Sequence, residues 1–78
     1  MFLMFLKNIF CQRLRTLRKN SKLTLEQMGE TLGVAKQTVG HWETGYRLPP
    51  LDVTVAIADF FCVSLDYLVG RSDDPSRH

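Results

Sequence analysis

Two short helical stretches, residues 24–32 and 35–43, follow one another with just Gly33 and Val34 between them. Thr24-Leu25-Glu26-Gln27 opens the first: a threonine and a glutamine three apart form a capping box, each side chain satisfying an amide that the helix start leaves without a partner. Met28 and Leu32 repeat at a spacing of four, and Gly33 supplies the left-handed residue that closes the helix. The second stretch turns Val39 and Trp42 inward at i, i+3 and ends at Thr44-Gly45. Gly29 falls where the two helices cross, and a bulky side chain there would push them apart, while Val39 and Trp42 fill the wedge between them.

Helical periodicity extends to both sides of this pair. Starting at Asn8, expected as an N-cap, Phe10, Leu14 and Leu17 recur at i, i+4, i+7 with Arg13, Arg15, Arg18 and Lys19 on other faces, and the polar Asn20-Ser21-Lys22 ends this helix near Lys19. Pro49 and Pro50 each hold the preceding residue extended, so residues 46–50 form a loop. A fourth helix from about Leu51 is expected to bury Leu51, Val55, Ala58 and Phe61; a fifth, capped by Ser64, carries Leu65 and Leu68 and stops at Gly70. No period-two strand run interrupts residues 8–70. The pattern predicts an all-α, five-helix domain over residues 8–70, an apolar extension over 1–7 and a polar, frayed tail over 71–78. Its core is expected to contain Phe10, Leu14, Leu17, Met28, Leu32, Val39, Trp42, Leu51, Val55, Phe61, Leu65 and Leu68.

Composition narrows the function classes. A chain of 78 residues supports one small core, which argues against a multi-domain enzyme, and 45% apolar with 23% charged residues is the balance of a folding chain. Residues 1–47 carry eight Lys/Arg and three acids, a net +5, whereas residues 48–78 carry two and five, a net −3. The first part thus offers a face to a polyanion that the second does not. Cys11 and Cys62 show neither C-x-x-C nor paired-His spacing, so no disulfide scaffold, zinc site or other metal or cofactor is expected; both are read as small buried hydrophobes in a reducing cytoplasm. The opening Met1-Phe2-Leu3-Met4-Phe5-Leu6 is apolar, but Lys7 interrupts it and no cleavage site follows, so neither a signal peptide nor a membrane span is expected. No Gly-rich phosphate loop or Ser/His/Asp set is present, and Glu26, Glu30 and Glu43 take cap and ion-pair positions, so no enzyme is expected.

Two amphipathic helices around a Gly-containing turn form the layout of a DNA-reading helix-turn-helix, whose first helix braces a second that enters the major groove. The chain resembles the XRE-type helix-turn-helix family of Cro-like and lambda-repressor-like domains. The resemblance is carried by Leu17-Arg18, Leu23-Thr24-Leu25-Glu26-Gln27-Met28-Gly29, Leu32-Gly33-Val34, Thr38-Val39, Trp42-Glu43-Thr44-Gly45, Pro49 and Val63-Ser64-Leu65-Asp66-Tyr67-Leu68. These fall without a gap across residues 8–70.

With Val39 and Trp42 inward, the opposite face of the third helix presents Lys36, Gln37, Gly40 and His41. Glutamine can bond adenine N6 and N7 together, lysine can donate to guanine O6 or N7, and His41 can donate to a base acceptor or a phosphate. The resemblance implies that Lys36, Gln37 and His41 read bases and that Thr24, Thr44 and Tyr46 lie near phosphates; Thr38 and the loop residue Arg47 are expected with the latter group. It also implies that Arg18 pairs with Glu43, tying the first helix to the third, while Arg13, Arg15, Lys19 and Lys22 form a solvated face with a general electrostatic role. Three positions depart from the family pattern: Ala35 stands where a capping Ser or Thr is usual, Leu25 where a phosphate-touching Gln is frequent, and Gly40 leaves one recognition position blank. That blank either reduces the bases read or lets the helix backbone approach the DNA closely.

The implied activity is sequence-specific binding of double-stranded DNA by a phage- or prophage-type transcriptional regulator, a homodimer on a palindromic operator. One small domain leaves the dimer surface to residues 2–6 or 60–67, with Phe2, Leu3 and Phe5 alternatively forming a flap on their own core. Two other functions keep this fold: the antitoxin of a toxin pair, with a protein partner, and an interaction module that no longer binds DNA. Salt-dependent duplex retention separates the last from the others, and co-purification with a small toxic partner identifies the antitoxin.

Overall fold

The computed structural model describes residues 2–77, with side chains described from Leu6 onward. It contains α1 (Phe2–Asn20), α2 (Leu25–Leu32), α3 (Lys36–Thr44), α4 (Leu51–Phe61) and α5 (Leu65–Leu68), and no strand among the described residues. The first helix begins at Phe2 rather than at Asn8, which lies exposed inside it. Leu6, Ile9 and Phe10, at i, i+3, i+4, carry the inward stripe further back than the polar Lys7-Asn8 pair suggests. The proposed flap or dimer contact by Phe2, Leu3 and Phe5 lies outside the described side chains.

The core joins Phe10, Cys11 and Leu14 of α1, Met28 of α2, Val39 and Trp42 of α3, Ile57 and Ala58 of α4, and Val63 and Leu68 beyond it. Leu17, Leu32 and Phe61 pack half-buried against this cluster. The helix α1 lies against α3 and α5, while α2 lies against α3 and α4.

Three expectations about burial are corrected. In α4 the buried residues are Thr54, Ile57 and Ala58, while Leu51 and Val55 are exposed. Thr54 can be buried because its hydroxyl donates to the Pro50 carbonyl at 2.9 Å, removing the cost of an unpaired polar group. Leu65 is also exposed, on the outer side of the single-turn α5. Cys11 is buried as expected, but Cys62 is exposed: it caps the C-terminus of α4 at φ 57, with its N–H bonded to the Ala58 and Asp59 carbonyls.

Residues 71–77 of the tail are held, not frayed. Arg71 and Ser72 amides donate to the Asp66 carbonyl, Ser64 donates to the Pro75 carbonyl, and Arg77 pairs with Asp59 at 2.6 Å. Arg13, expected on a solvated face, lies with its guanidinium over the Tyr67 ring, donates to the Tyr67 and Ser72 carbonyls and pairs with Asp73. Its five fork-like donors explain how one side chain on α1 can bind α5 and the tail at once.

Candidate nucleic-acid interface

The interface is built on the α2–α3 junction. Thr24 sits in extended geometry and its Oγ1 accepts from the Gln27 amide at 3.0 Å, while Gln27 Oε1 accepts from the Thr24 amide at 2.9 Å, completing the capping box. At the far end Gly33 takes φ 74, and the Val34 amide returns to the Gly29 carbonyl at 2.8 Å. The turn therefore folds back over Gly29, where an added Cβ would stand 2.5 Å from the Val34 carbonyl oxygen. Any side chain at position 29 would lift the turn and with it the start of α3.

Because the turn is fixed, the orientation of α3 is fixed. Ala35 caps it without a side-chain bond, its carbonyl accepting from the Thr38 amide at 3.0 Å. Val39 is fully buried and Trp42 nearly so. A second constraint comes from α1: Arg18 Nε donates to Glu43 Oε2 at 2.6 Å, Nη2 to Oε1 at 3.0 Å, and Nη1 to the Leu23 carbonyl at 2.8 Å. The two side chains are 11% and 7% exposed, so this two-point pair acts in a poorly hydrated environment. Its bond to Glu43 holds the Arg18 guanidinium above its ordinary pKa.

The opposite face of α3 is left free of the fold. Lys36 and Gln37 are exposed, and Gly40 and His41 are partly so. A shallow groove between the start of α2 and this face is lined by Thr24, Leu25, Glu26, Gln27, Lys36, Gln37 and Gly40, with Arg18 also reaching it. His41 packs its ring against Tyr46, with centroids 4.8 Å apart, and the Arg47 guanidinium lies 5.8 Å from the Tyr46 ring centre. The loop after α3 thus extends the face: Tyr46 is 70% exposed, Arg47 is exposed, and the Arg47 amide returns to the His41 carbonyl at 3.3 Å.

The hydroxyls differ in what they can offer. Thr24 Oγ1 accepts a bond and keeps its own proton available for an anion. Thr44 Oγ1 donates its proton to the His41 carbonyl at 3.2 Å, so it can donate elsewhere only by releasing that bond. Thr38 is half-buried on the flank of α3. The structure therefore brings Lys36, Gln37, His41, Tyr46 and Arg47 together along one helix and its following loop, with Thr24 at the neighbouring helix start. The tie from Arg13 to the tail escaped sequence reading, although Asp73 offered an acidic partner for a basic residue on α1.

Among the described residues no helix is long and apolar enough to cross a membrane, and no group of three His, Cys, Asp or Glu side chains is placed to hold a metal ion.

The profile of the helix-turn-helix family matches residues 14–68. The chain is 49% identical over 67 residues to YobD, an uncharacterized HTH-type transcriptional regulator of Bacillus subtilis, covering 86% of this chain and 60% of that protein. It is 41% identical over 59 residues to the HTH-type transcriptional regulator AnsR of the same organism, covering 76% and 51%. It is 35% identical over 60 residues to the cryptic phage CTXphi transcriptional repressor RstR of Vibrio cholerae, covering 77% and 54%. The chain thus spans between 51% and 60% of the length of these relatives. In three dimensions it is similar to the P22 c2 repressor protein crystallised with synthetic operator 9T, with a TM-score of 0.75 and 25% identity, over 82% of this chain and 97% of that one. The capped α2, the turn over Gly29, the clamped α3 and a profile match across all five helices together make this chain a member of the XRE-type helix-turn-helix family.

Proposed function

We propose that the chain binds double-stranded DNA sequence-specifically, with α3 in the major groove, and acts without catalysis as a repressor-like transcriptional regulator in the cytoplasm. The observation that carries this reading is the division of α3. Val39, Trp42 and Glu43 hold one side to the body, while Lys36, Gln37 and Gly40 face outward on the other, with His41 beside them against the Tyr46 ring. The likeness to a repressor solved with its operator supports the docking direction. Lys36, Gln37 and His41 read base edges. Thr24, Thr38, Thr44, Tyr46 and Arg47 approach phosphates, with Thr24 ready to donate and Thr44 recruited by rotating away from the His41 carbonyl.

The same reading makes the chain a homodimer on a palindromic site. Phe60, 43% exposed, and Leu65, 36% exposed, leave apolar area in the expected 60–67 region for the second copy. Selection of bound sequences from a random duplex pool tests both statements. The expected result is an enriched inverted repeat with half-sites about 10 bp apart and retention that weakens steeply with salt. Failure to enrich any sequence refutes the reading.

A further inference from the structure

We propose that Gly40 and Leu25 form a recess that receives the C5-methyl group of a thymine in the bound duplex, so that one T·A pair is read by apolar contact. This rests on the DNA-binding reading and names a base contact within it.

The inference starts from a glycine that the fold does not require. Gly29 is needed for clearance under the Val34 carbonyl, and Gly33, Gly45 and Gly70 adopt φ of 74, 79 and 88. Gly40 has neither reason. It lies in the middle of α3, outside the positive-φ residues, and a methyl group built on it would meet, beyond its own helix, just Leu25 Cδ1 at 3.9 Å, an ordinary contact. Alanine would fit there, and glycine is the poorest helix former after proline. The space that glycine leaves open is therefore on the outward face, beside Lys36 and Gln37.

Leu25 completes the recess. It is half-buried, packs against the core and extends Cδ1 toward Gly40 across the groove. Two departures from the family pattern, far apart in sequence, thus meet in space as an apolar floor. Thr24, Glu26, Gln27, Lys36 and Gln37 line the groove around it, together with Arg18. Base edges in the major groove present nitrogen and oxygen donors and acceptors, and their apolar feature is the thymine methyl. An apolar floor beside the Lys36 and Gln37 donors fits that methyl next to a purine acceptor.

The test uses the full chain and operators selected from a random pool. Each thymine in the site is replaced singly by deoxyuridine, which removes the methyl and preserves pairing. At one position per half-site, affinity should fall about fourfold, the effect of one buried methylene-sized group. Gly40→Ala should lose at least as much affinity for the thymine duplex, yet bind the deoxyuridine duplex at that position as well as or better than thymine. Its thermal midpoint should be no lower than that of the unaltered chain, which excludes unfolding as the cause. The proposal is overturned if no single deoxyuridine changes binding, or if Gly40→Ala weakens thymine and deoxyuridine duplexes equally. Loss of the wider reading is visible separately: if Gln37→Ala leaves binding unchanged on every duplex, α3 is not the reader and the proposal falls with it.

Discussion

Glu43→Gln exchanges one carboxylate oxygen for an amide nitrogen at nearly constant shape. Arg18 keeps its bond to the Leu23 carbonyl, but of the two oxygens its Nε and Nη2 address, one becomes a donor facing a donor. At 11% and 7% exposure, water restores little of what is lost. Removing one partner of a buried pair costs about 3–5 kcal/mol, and since glutamine retains one acceptor the loss should fall near about 3 kcal/mol. A chain of 78 residues has about 4–12 kcal/mol of stability in total. The substitution therefore removes a large share of it. With a urea slope of about 1 kcal/mol per M for so small a domain, the unfolding midpoint should drop by about 3 M. Arg18→Met, Glu43→Met and the double variant then isolate the pair: the two single losses should exceed the double loss by about 2 kcal/mol or more. Because the pair is poorly hydrated, the coupling should survive about 1 M salt, where exposed charges are screened within ~3 Å. An unchanged midpoint, additive singles or a coupling that vanishes in salt would reduce the contact to a surface pair contributing about 0–1 kcal/mol, and the clamp on α3 would be refuted.

Trp42→Ala should cost about 3–5 kcal/mol, and a thermal midpoint like that of the unaltered chain would sink the core assignment. On DNA, Gln37→Ala should lose about 1–3 kcal/mol mainly on the selected sequence, as a base contact does. Arg47→Ala should instead weaken all duplexes alike and lower the salt slope by about 1; identical behaviour of the two variants would count against α3 as reader. In the folded chain a maleimide should label Cys62 promptly and Cys11 only on unfolding. Burial raises the Cys11 pKa, so its contribution to stability is full below the ordinary thiol range and is lost as pH rises through that range toward the folded value. Arg13→Ala should release residues 71–77, read as faster amide exchange at Arg71, whose amide is bonded to the Asp66 carbonyl; unchanged protection would contradict the tie.

What could be read from the sequence was local. The capping box at Thr24 and Gln27, the left-handed Gly33, the helix end at Thr44-Gly45, the cap at Ser64 and the crossing at Gly29 each depend on a few neighbouring residues. The phase of α4 could not be read the same way, because most of its eleven residues are apolar and several rotations bury a similar area. Asp52 and Asp59, seven apart, mark the solvent side and place Val55 between them, a signal that the apolar residues obscured. The start of α1 was misplaced because Lys7-Asn8 resembles a boundary, whereas the stripe through Leu6, Ile9 and Phe10 continues past it. In the interface, the free face of α3 followed from the inward positions of Val39 and Trp42. The adjacency of Leu25 and Gly40, and the engagement of the Thr44 hydroxyl, depend on tertiary geometry that no spacing encodes.

The way α3 is attached has an evolutionary consequence. Among the described residues the side chains of Lys36 and Gln37 make no hydrogen bond or ion pair with the body, so exchanges there among helix-compatible residues remove no polar contact that holds the fold. A lineage can drift through many residue pairs there, acquiring new target preferences while the scaffold stays intact. His41 is constrained differently, because its ring contact with Tyr46 ties it to the loop. Positions 36 and 37 should therefore diversify independently among descendants, whereas positions 41 and 46 should change as a pair.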